Sequence, residues 1–162
     1  MRRFANLFSE LDETTRTGEK VKAMAAYLAE APPEDAAWAV HFLSGSRPKR
    51  LIPVRRLAAW AMEISEVPEW LFDESYHAVG DLAETISLLL PAPGESSDEP
   101  LHRWVARLMG LAGRSEEEQR SEIVSAWAEL AGTERFVWNK LITGGFRVGV
   151  ARSLVVRALA QA

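Results

Sequence analysis

The chain has no cysteine. That excludes disulfides and thiolate metal sites and points to a reducing, intracellular setting. Long apolar runs are missing too. The longest uncharged one, Ile86 to Ala92, falls far short of the roughly 20 residues that span a bilayer. Arg2 and Arg3 could head a secretory signal, but Asn6, Ser9 and Glu10 break up the stretch after them and leave no apolar segment. A cytoplasmic protein with no membrane partner is expected. Histidine is scarce: His41, His77 and His102 lie far apart, without metal-ligand spacing. There is no Gly-x-Ser-x-Gly, no phosphate loop and no dinucleotide fingerprint. The sequence thus offers no catalytic residue and no metal ligand. Side-chain amides are also few. Asn6, Gln119, Asn139 and Gln161 are all there are, so a helix reading base edges through Asn or Gln is hard to place.

Excess base is absent as well. The net charge is −4, which by itself counts against nucleic-acid binding. The distribution says more. Between Ser46 and Met62 lie Arg47, Lys49, Arg50, Arg55 and Arg56, with no acid. From Phe136 to Ala162 lie Lys140, Arg147, Arg152 and Arg157, again with no acid. Between Leu57 and His102 there is no Lys or Arg, only acids such as Glu63, Asp73, Asp81 and Glu99. If the two basic segments converge in the fold, they form a phosphate-binding face on an acidic protein. If they never meet, they are solvated helix faces.

What is present is helical periodicity, with no clean alternation of period two. Phe4, Leu7, Phe8 and Leu11 make one apolar stripe, and Val21, Met24, Ala25 and Leu28 a second. Helix starts are expected at Pro33, Pro53 and Pro68. Residues 91–100 read as a loop, rich in Pro, Gly, Ser and acids. Ser115 and Glu118 have capping-box spacing, and their helix is expected to run towards Gly132. A last helix is expected from near Val150. The whole is an all-α, compact multi-helix domain of about ten helices spanning 1–162. With 162 residues and 48% hydrophobic content, the chain can bury a sizeable core. Trp38, Trp60, Trp70, Trp104, Trp127 and Trp138 fall about one per helix. They are core aromatics or stacking platforms for bases.

An internal echo suggests two similar halves. Leu43-Ser44-Gly45-Ser46 leads through Arg47 into Ile52-Pro53-Val54-Arg55-Arg56. Leu141-Ile142-Thr143-Gly144-Gly145 leads through Arg147 into Val148-Gly149-Val150-Ala151-Arg152. Each is a helix end, a small-residue turn, an arginine and a new helix start. In the second, Gly144 and Gly145 can adopt backbone angles closed to other residues. Gly149 would let free N–H groups approach a phosphate. Arg147 lies in the turn and Arg152 in the first turn of the next helix. The segment is either a phosphate clamp without sequence readout or an ordinary helix-helix connector.

The run KLITGGFRVGVARSLVVRALA resembles the C-terminal signature of the DNA-binding domain of ATP-dependent DNA ligases. Gly144, Phe146, Arg147, Val148 and Gly149 match that signature, and Val155 and Ala158-Leu159-Ala160 match its closing helix. Val79-Gly80-Asp81-Leu82-Ala83-Glu84 is similar to the family's Gly-Asp-Leu/Val-Gly box, with Ala83 where the family has its second Gly. Phe4 to Leu28, with Thr14-Thr15 and Lys20, resembles the family's opening helix pair, and FLSGSRPKRLIPVRRLAAWA looks like its bacterial branch.

The resemblance implies a non-catalytic, monomeric helical module that grips nicked duplex DNA across the minor groove by shape and backbone. It would serve a ligase that seals nicks in repair, replication or recombination, located in the cytoplasm at the nucleoid. The nucleotidyltransferase and oligonucleotide-binding (OB-fold) domains would be covalently linked and would hold ATP and Mg²⁺, with no cofactor in this chain. The family's adenylation motif is Lys-x-Asp-Gly, and none of Lys20, Lys22, Lys49 and Lys140 stands in that context. Implied DNA contacts are Gly144, Arg147 and Gly149 foremost, with Gly145 and Arg152 beside them and Arg47, Lys49 and Arg50 in the matching first-half turn. Two other classes stay open: a sequence-specific helical regulator, and a helical protein-interaction scaffold using the acidic middle segment.

Overall fold

Proline and short polar side chains set most of the helix starts. The structure, a computed structural model, describes residues 1–46, 51–93 and 96–162, and within them all regular structure is helical. The helices are α1 (Arg2–Glu13), α2 (Thr17–Glu30), α3 (Pro33–Leu43), α4 (Val54–Ser65), α5 (Glu69–Val79), α6 (Leu82–Leu89), α7 (Leu101–Met109), α8 (Glu116–Glu129), α9 (Gly132–Thr143) and α10 (Arg152–Leu159). Pro33 takes the first helical position of α3. Pro53 and Pro68 instead sit one residue earlier, as extended N-caps of α4 and α5. The Ser115–Glu118 capping box forms in both directions, Glu118 N donating to Ser115 Oγ at 3.3 Å and Ser115 N to Glu118 Oε2 at 2.8 Å. The Ser115 hydroxyl, which donates to Glu118 Oε2 at 2.8 Å, and then the Ser115 N–H hold the Glu118 carboxyl below its ordinary value. α8 stops at Glu129, because Leu130 and Ala131 are extended, so Gly132 opens α9 rather than closing α8.

The chain divides into two compact units, and they are not its N- and C-terminal halves. The first comprises Met1–Arg47, Asp98–Ala106 and Phe146–Ala162, the second Pro48–Ser97 and Arg107–Gly145. Both echoed turns fall where the chain passes from one unit to the other: after α3, and between Gly145 and Phe146. The echo therefore marks two unit crossings, not two halves.

In the first unit, α10 packs mainly on α2, and α1 on α2. Its centre is aromatic. Phe4 stacks on Phe146 with centroids 5.5 Å apart and planes at 10°, and Phe8 and Phe42 close round the same ring at 5.1 and 6.1 Å. Asp35, buried on α3, accepts the N–H groups of Leu101 (3.1 Å) and His102 (2.8 Å), satisfying the first turn of α7 from another helix.

In the second unit, α6 packs on α9. Ala83 is buried there, and Asn139 Nδ2 donates to its carbonyl at 3.4 Å, so alanine is accommodated where a glycine was the family pattern. Arg135, 3% exposed, donates to four carbonyls at the ends of α6 and α8. Trp60, Trp127 and Trp138 are buried here and Trp104 in the first unit, which makes them core aromatics; half-buried Trp38, also in the first unit, stacks on Phe42 at 5.6 Å. Trp70 differs, standing 67% exposed on α5.

Candidate nucleic-acid interface

The segment after α9 is built by alternation. Phe146 and Val148, each 6% exposed, turn into the first unit, while Arg147 and Gly149 are exposed. Phe146 is fixed by the rings of Phe4, Phe8 and Phe42. Arg147 therefore projects from a non-helical stretch in which its neighbours on both sides are buried. It is exposed and makes no ion pair or hydrogen bond with any described residue.

Beyond this stretch, α10 begins at Arg152, not at Val150, because Ala151 is an extended N-cap (ψ 148°). No side chain caps this start and no acid stands in its first turn. Arg152 thus places a positive charge at the positive end of a helix, an arrangement unfavourable by roughly 0.3–1 kcal/mol unless an anion is near. A groove of about 440 Å³ runs beside the segment, lined by residues 146–151 and by Phe42, Leu43 and Gly45 at the end of α3. The first echoed turn and the second thus share one groove in this unit, as far as Gly45. Arg47, Lys49 and Arg50, expected to contribute there, lie outside the described residues.

The glycines divide. Gly144 closes α9 with φ +72° and Gly149 has φ +59°, both left-handed. Gly145 is not left-handed, so of the two adjacent glycines Gly144 is the one that uses the conformational freedom the sequence offered. A Cβ at Gly145 would meet Thr143 Oγ1 at 3.5 Å and Lys140 Cδ at 3.6 Å, ordinary contacts, whereas one at Gly149 would stand 3.1 Å from Lys20 Nζ. Gly149→Ala should therefore lower stability by about 1 kcal/mol from the backbone alone, and Gly145→Ala should be nearly neutral. Urea unfolding of the two variants checks this, and equal losses would contradict the assignment. Gly144 and Gly145 belong to the second unit, Arg147, Gly149 and Arg152 to the first.

Two other cations of the basic segments, Lys140 and Arg56, are committed. Lys140 is bonded to the carboxylate of Asp81, itself the N-cap of α6, and lies 5.1 Å from the Phe136 ring centroid. The absence of acids near Lys140 in sequence therefore did not leave it unpaired. Arg56 pairs with Glu116 at 2.8 Å, while its neighbour Arg55 is exposed.

Sequence reasoning singled out Lys20 only as part of the opening helix pair. It is 7% exposed, and its ammonium donates to the carbonyls of Val148 (2.6 Å) and Gly149 (3.3 Å). The signal was there: Lys20 lies four residues before Met24 and next to Val21, on the buried stripe of α2.

No group of three or more His, Cys, Asp or Glu side chains could hold a metal among the described residues, and no described helix is long and apolar enough to cross a membrane. Lys20 and Lys140 are both engaged, and no lysine is followed by Asp-Gly at the adenylation spacing.

What the fold and the site define is an all-α module carrying an anchored cationic loop and an uncapped helix start beside it. A family described as DNA ligase N terminus matches residues 1–160, and the chain belongs to that family. It is 28% identical over 170 residues to a protein named "Probable DNA ligase" from Koribacter versatilis (strain Ellin345); the match covers 100% of this chain and 30% of that protein. The chain thus spans less than a third of the length of the curated relative it matches.

Proposed function

We propose that this chain binds duplex DNA, nicked duplex included, through phosphate and minor-groove contacts, as the DNA-binding domain of an ATP-dependent DNA ligase. The observation that carries the reading is Arg147: an exposed, carboxylate-free cation on a loop anchored by Phe146 and Val148. A side chain held out without an internal partner is arranged for an external anion. Arg152, at the uncapped start of α10, adds a second cation and free backbone N–H groups. Gly149 contributes backbone shape, and Gly144, Gly145, Arg47, Lys49 and Arg50 are further DNA contacts in this reading.

Contacts of this kind position a duplex without reading it. Sequence readout has little to work with, since Asn139 and Gln119 are buried in internal hydrogen bonds with Trp127 and Leu111. In this reading the chain is a monomeric cytoplasmic module that associates with the nucleoid through DNA. Nick sealing, ATP and Mg²⁺ belong to covalently linked nucleotidyltransferase and OB-fold domains. This chain's share is affinity and orientation, which convert a bimolecular step into one on a held substrate.

The test is a titration of the 162-residue chain against several unrelated duplexes, nicked and intact, by fluorescence anisotropy at several salt concentrations. Affinity should vary little with sequence and fall steeply with salt. A preference of more than about a hundredfold for one sequence indicates a regulator. No binding even at low salt indicates a protein-interaction scaffold.

A further inference from the structure

The ammonium of Lys20 is a buried charge with no carboxylate partner among the described residues. Burying an ion without a counter-charge is expensive, so what it holds is informative. It accepts nothing and donates to two successive carbonyls, those of Val148 and Gly149. In extended backbone, successive carbonyls point to opposite sides. Here the left-handed Gly149, φ +59°, brings both to one side.

In a planar trans peptide the C=O and the following N–H point in opposite directions. With the Val148 and Gly149 carbonyls drawn inward to Lys20, the N–H groups of Gly149 and Val150 must face outward. Neither has an acceptor among the described residues. Two successive outward N–H groups at a left-handed residue make an anion-binding concavity. It lies between Arg147 and Arg152 in sequence, along the same groove.

We propose that Lys20 is a positioning residue: without touching DNA, it turns the Val148 and Gly149 carbonyls inward so that the Gly149 and Val150 N–H groups cradle a duplex phosphate beside Arg147. The role rests on the duplex-binding reading above. Its specific content is that a lysine on α2 sets the shape of the loop that α1 and α3 anchor through Phe146.

The experiment compares the 162-residue chain with Lys20→Met, Arg147→Ala and the double variant. Nicked-duplex affinity is measured by anisotropy across a salt series, and limited trypsin cleavage is followed after Arg147 and, as a control, after Arg114. Lys20→Met should weaken binding about tenfold. The double variant should bind no more than about threefold more weakly than the worse single one, because both act through one loop. Cleavage after Arg147 should rise severalfold, with cleavage after Arg114 unchanged.

Additive losses, with Lys20→Met lowering the salt slope by a further unit of its own, would make Lys20 a direct phosphate contact and overturn the proposal. So would unchanged binding and unchanged cleavage. If the unaltered chain fails to bind duplex at all, the functional reading falls, and the cleavage assay still decides whether Lys20 holds the loop. Should Lys20→Met not fold, Lys20→Gln, whose amide can donate to one of the two carbonyls, should give a smaller shift in the same readouts. Equal binding and cleavage in Lys20→Gln and the unaltered chain would then count against the proposal.

Discussion

Arg135→Met is expected to destabilise the chain by about 3–5 kcal/mol. The guanidinium is 3% exposed. Its Nε donates to Leu130 O at 2.8 Å, Nη1 to Leu90 O at 3.2 Å, and Nη2 to Pro91 O at 2.8 Å and Trp127 O at 2.7 Å. Leu130 and Leu90 are the C-caps of α8 and α6, and Trp127 lies in the last turn of α8. These are the carbonyls that a helix end leaves without an internal donor, and they carry the negative end of the helix dipole. One side chain serves the ends of two helices.

Burial pulls the pKa of Arg135 below the usual arginine value, yet arginine stays charged because its ordinary value is so high. Replacing a buried ion pair with apolar groups is often harmless when both partners go. That escape is closed here, since the partners are backbone carbonyls that no substitution removes. Methionine fills the space but leaves three buried acceptors and a part-buried one at Pro91, each buried one worth about 1–3 kcal/mol if unsatisfied. Partial relaxation keeps the total below their sum. Arg135→Lys should recover only part of the loss, as one ammonium cannot reproduce the planar fork. Urea unfolding measures this, with exposed Arg114→Ala expected within about 0.5 kcal/mol of the parent. A loss below about 1 kcal/mol for Arg135→Met would show that solvent or rearranged helix ends satisfy those carbonyls.

The local rules of the sequence were enough for the helices. Pro33, the Ser115–Glu118 box and the apolar stripe of α1 each rest on contacts within a few residues, and each appears as expected, whereas α2 buries only Val21 and Met24 of its stripe, together with Lys20. Arg147, Gly149 and Arg152 were also legible as a group, because they lie in one short segment, and the structure keeps them in one unit. What spacing could not reveal were partners far away in the chain. Lys140 looked free because acids are absent around it, but Asp81 reaches it from 59 positions earlier. Lys20 meets Val148 across 128 positions. Arg135 was hidden differently. Its acceptors are backbone carbonyls, which leave no trace in residue types. The echo between the two basic turns was visible in sequence, but its meaning, two crossings between interleaved units, required the three-dimensional division of the chain.

Arg147→Ala should weaken duplex binding by about 1–2 kcal/mol on every sequence, roughly five- to thirtyfold, and reduce the salt slope by about one unit. Its stability should change by less than about 0.5 kcal/mol. The two halves of that expectation come from different neighbours. The fold should be indifferent because Arg147 is exposed and bonded to no described residue, while Phe146 and Val148 hold the loop whether or not a guanidinium rises between them. Binding should suffer because an arginine that meets no internal carboxylate needs none removed before it meets a phosphate, so its full contribution is available to the ligand. Uniformity across sequences comes from the same chemistry, since a phosphate oxygen is alike beside every base. Phe146→Ala makes the contrast. It keeps Arg147 but empties the ring contacts with Phe4, Phe8 and Phe42. It should cost about 3–5 kcal/mol in stability, as for other buried aromatics, and should weaken binding only by loosening the loop. A salt slope reduced in Arg147→Ala but kept in Phe146→Ala separates the charge that touches DNA from the ring that holds it in place. If Arg147→Ala binds as the parent does, or unfolds the chain, the glycine-flanked segment is a helix connector and the phosphate contact belongs elsewhere.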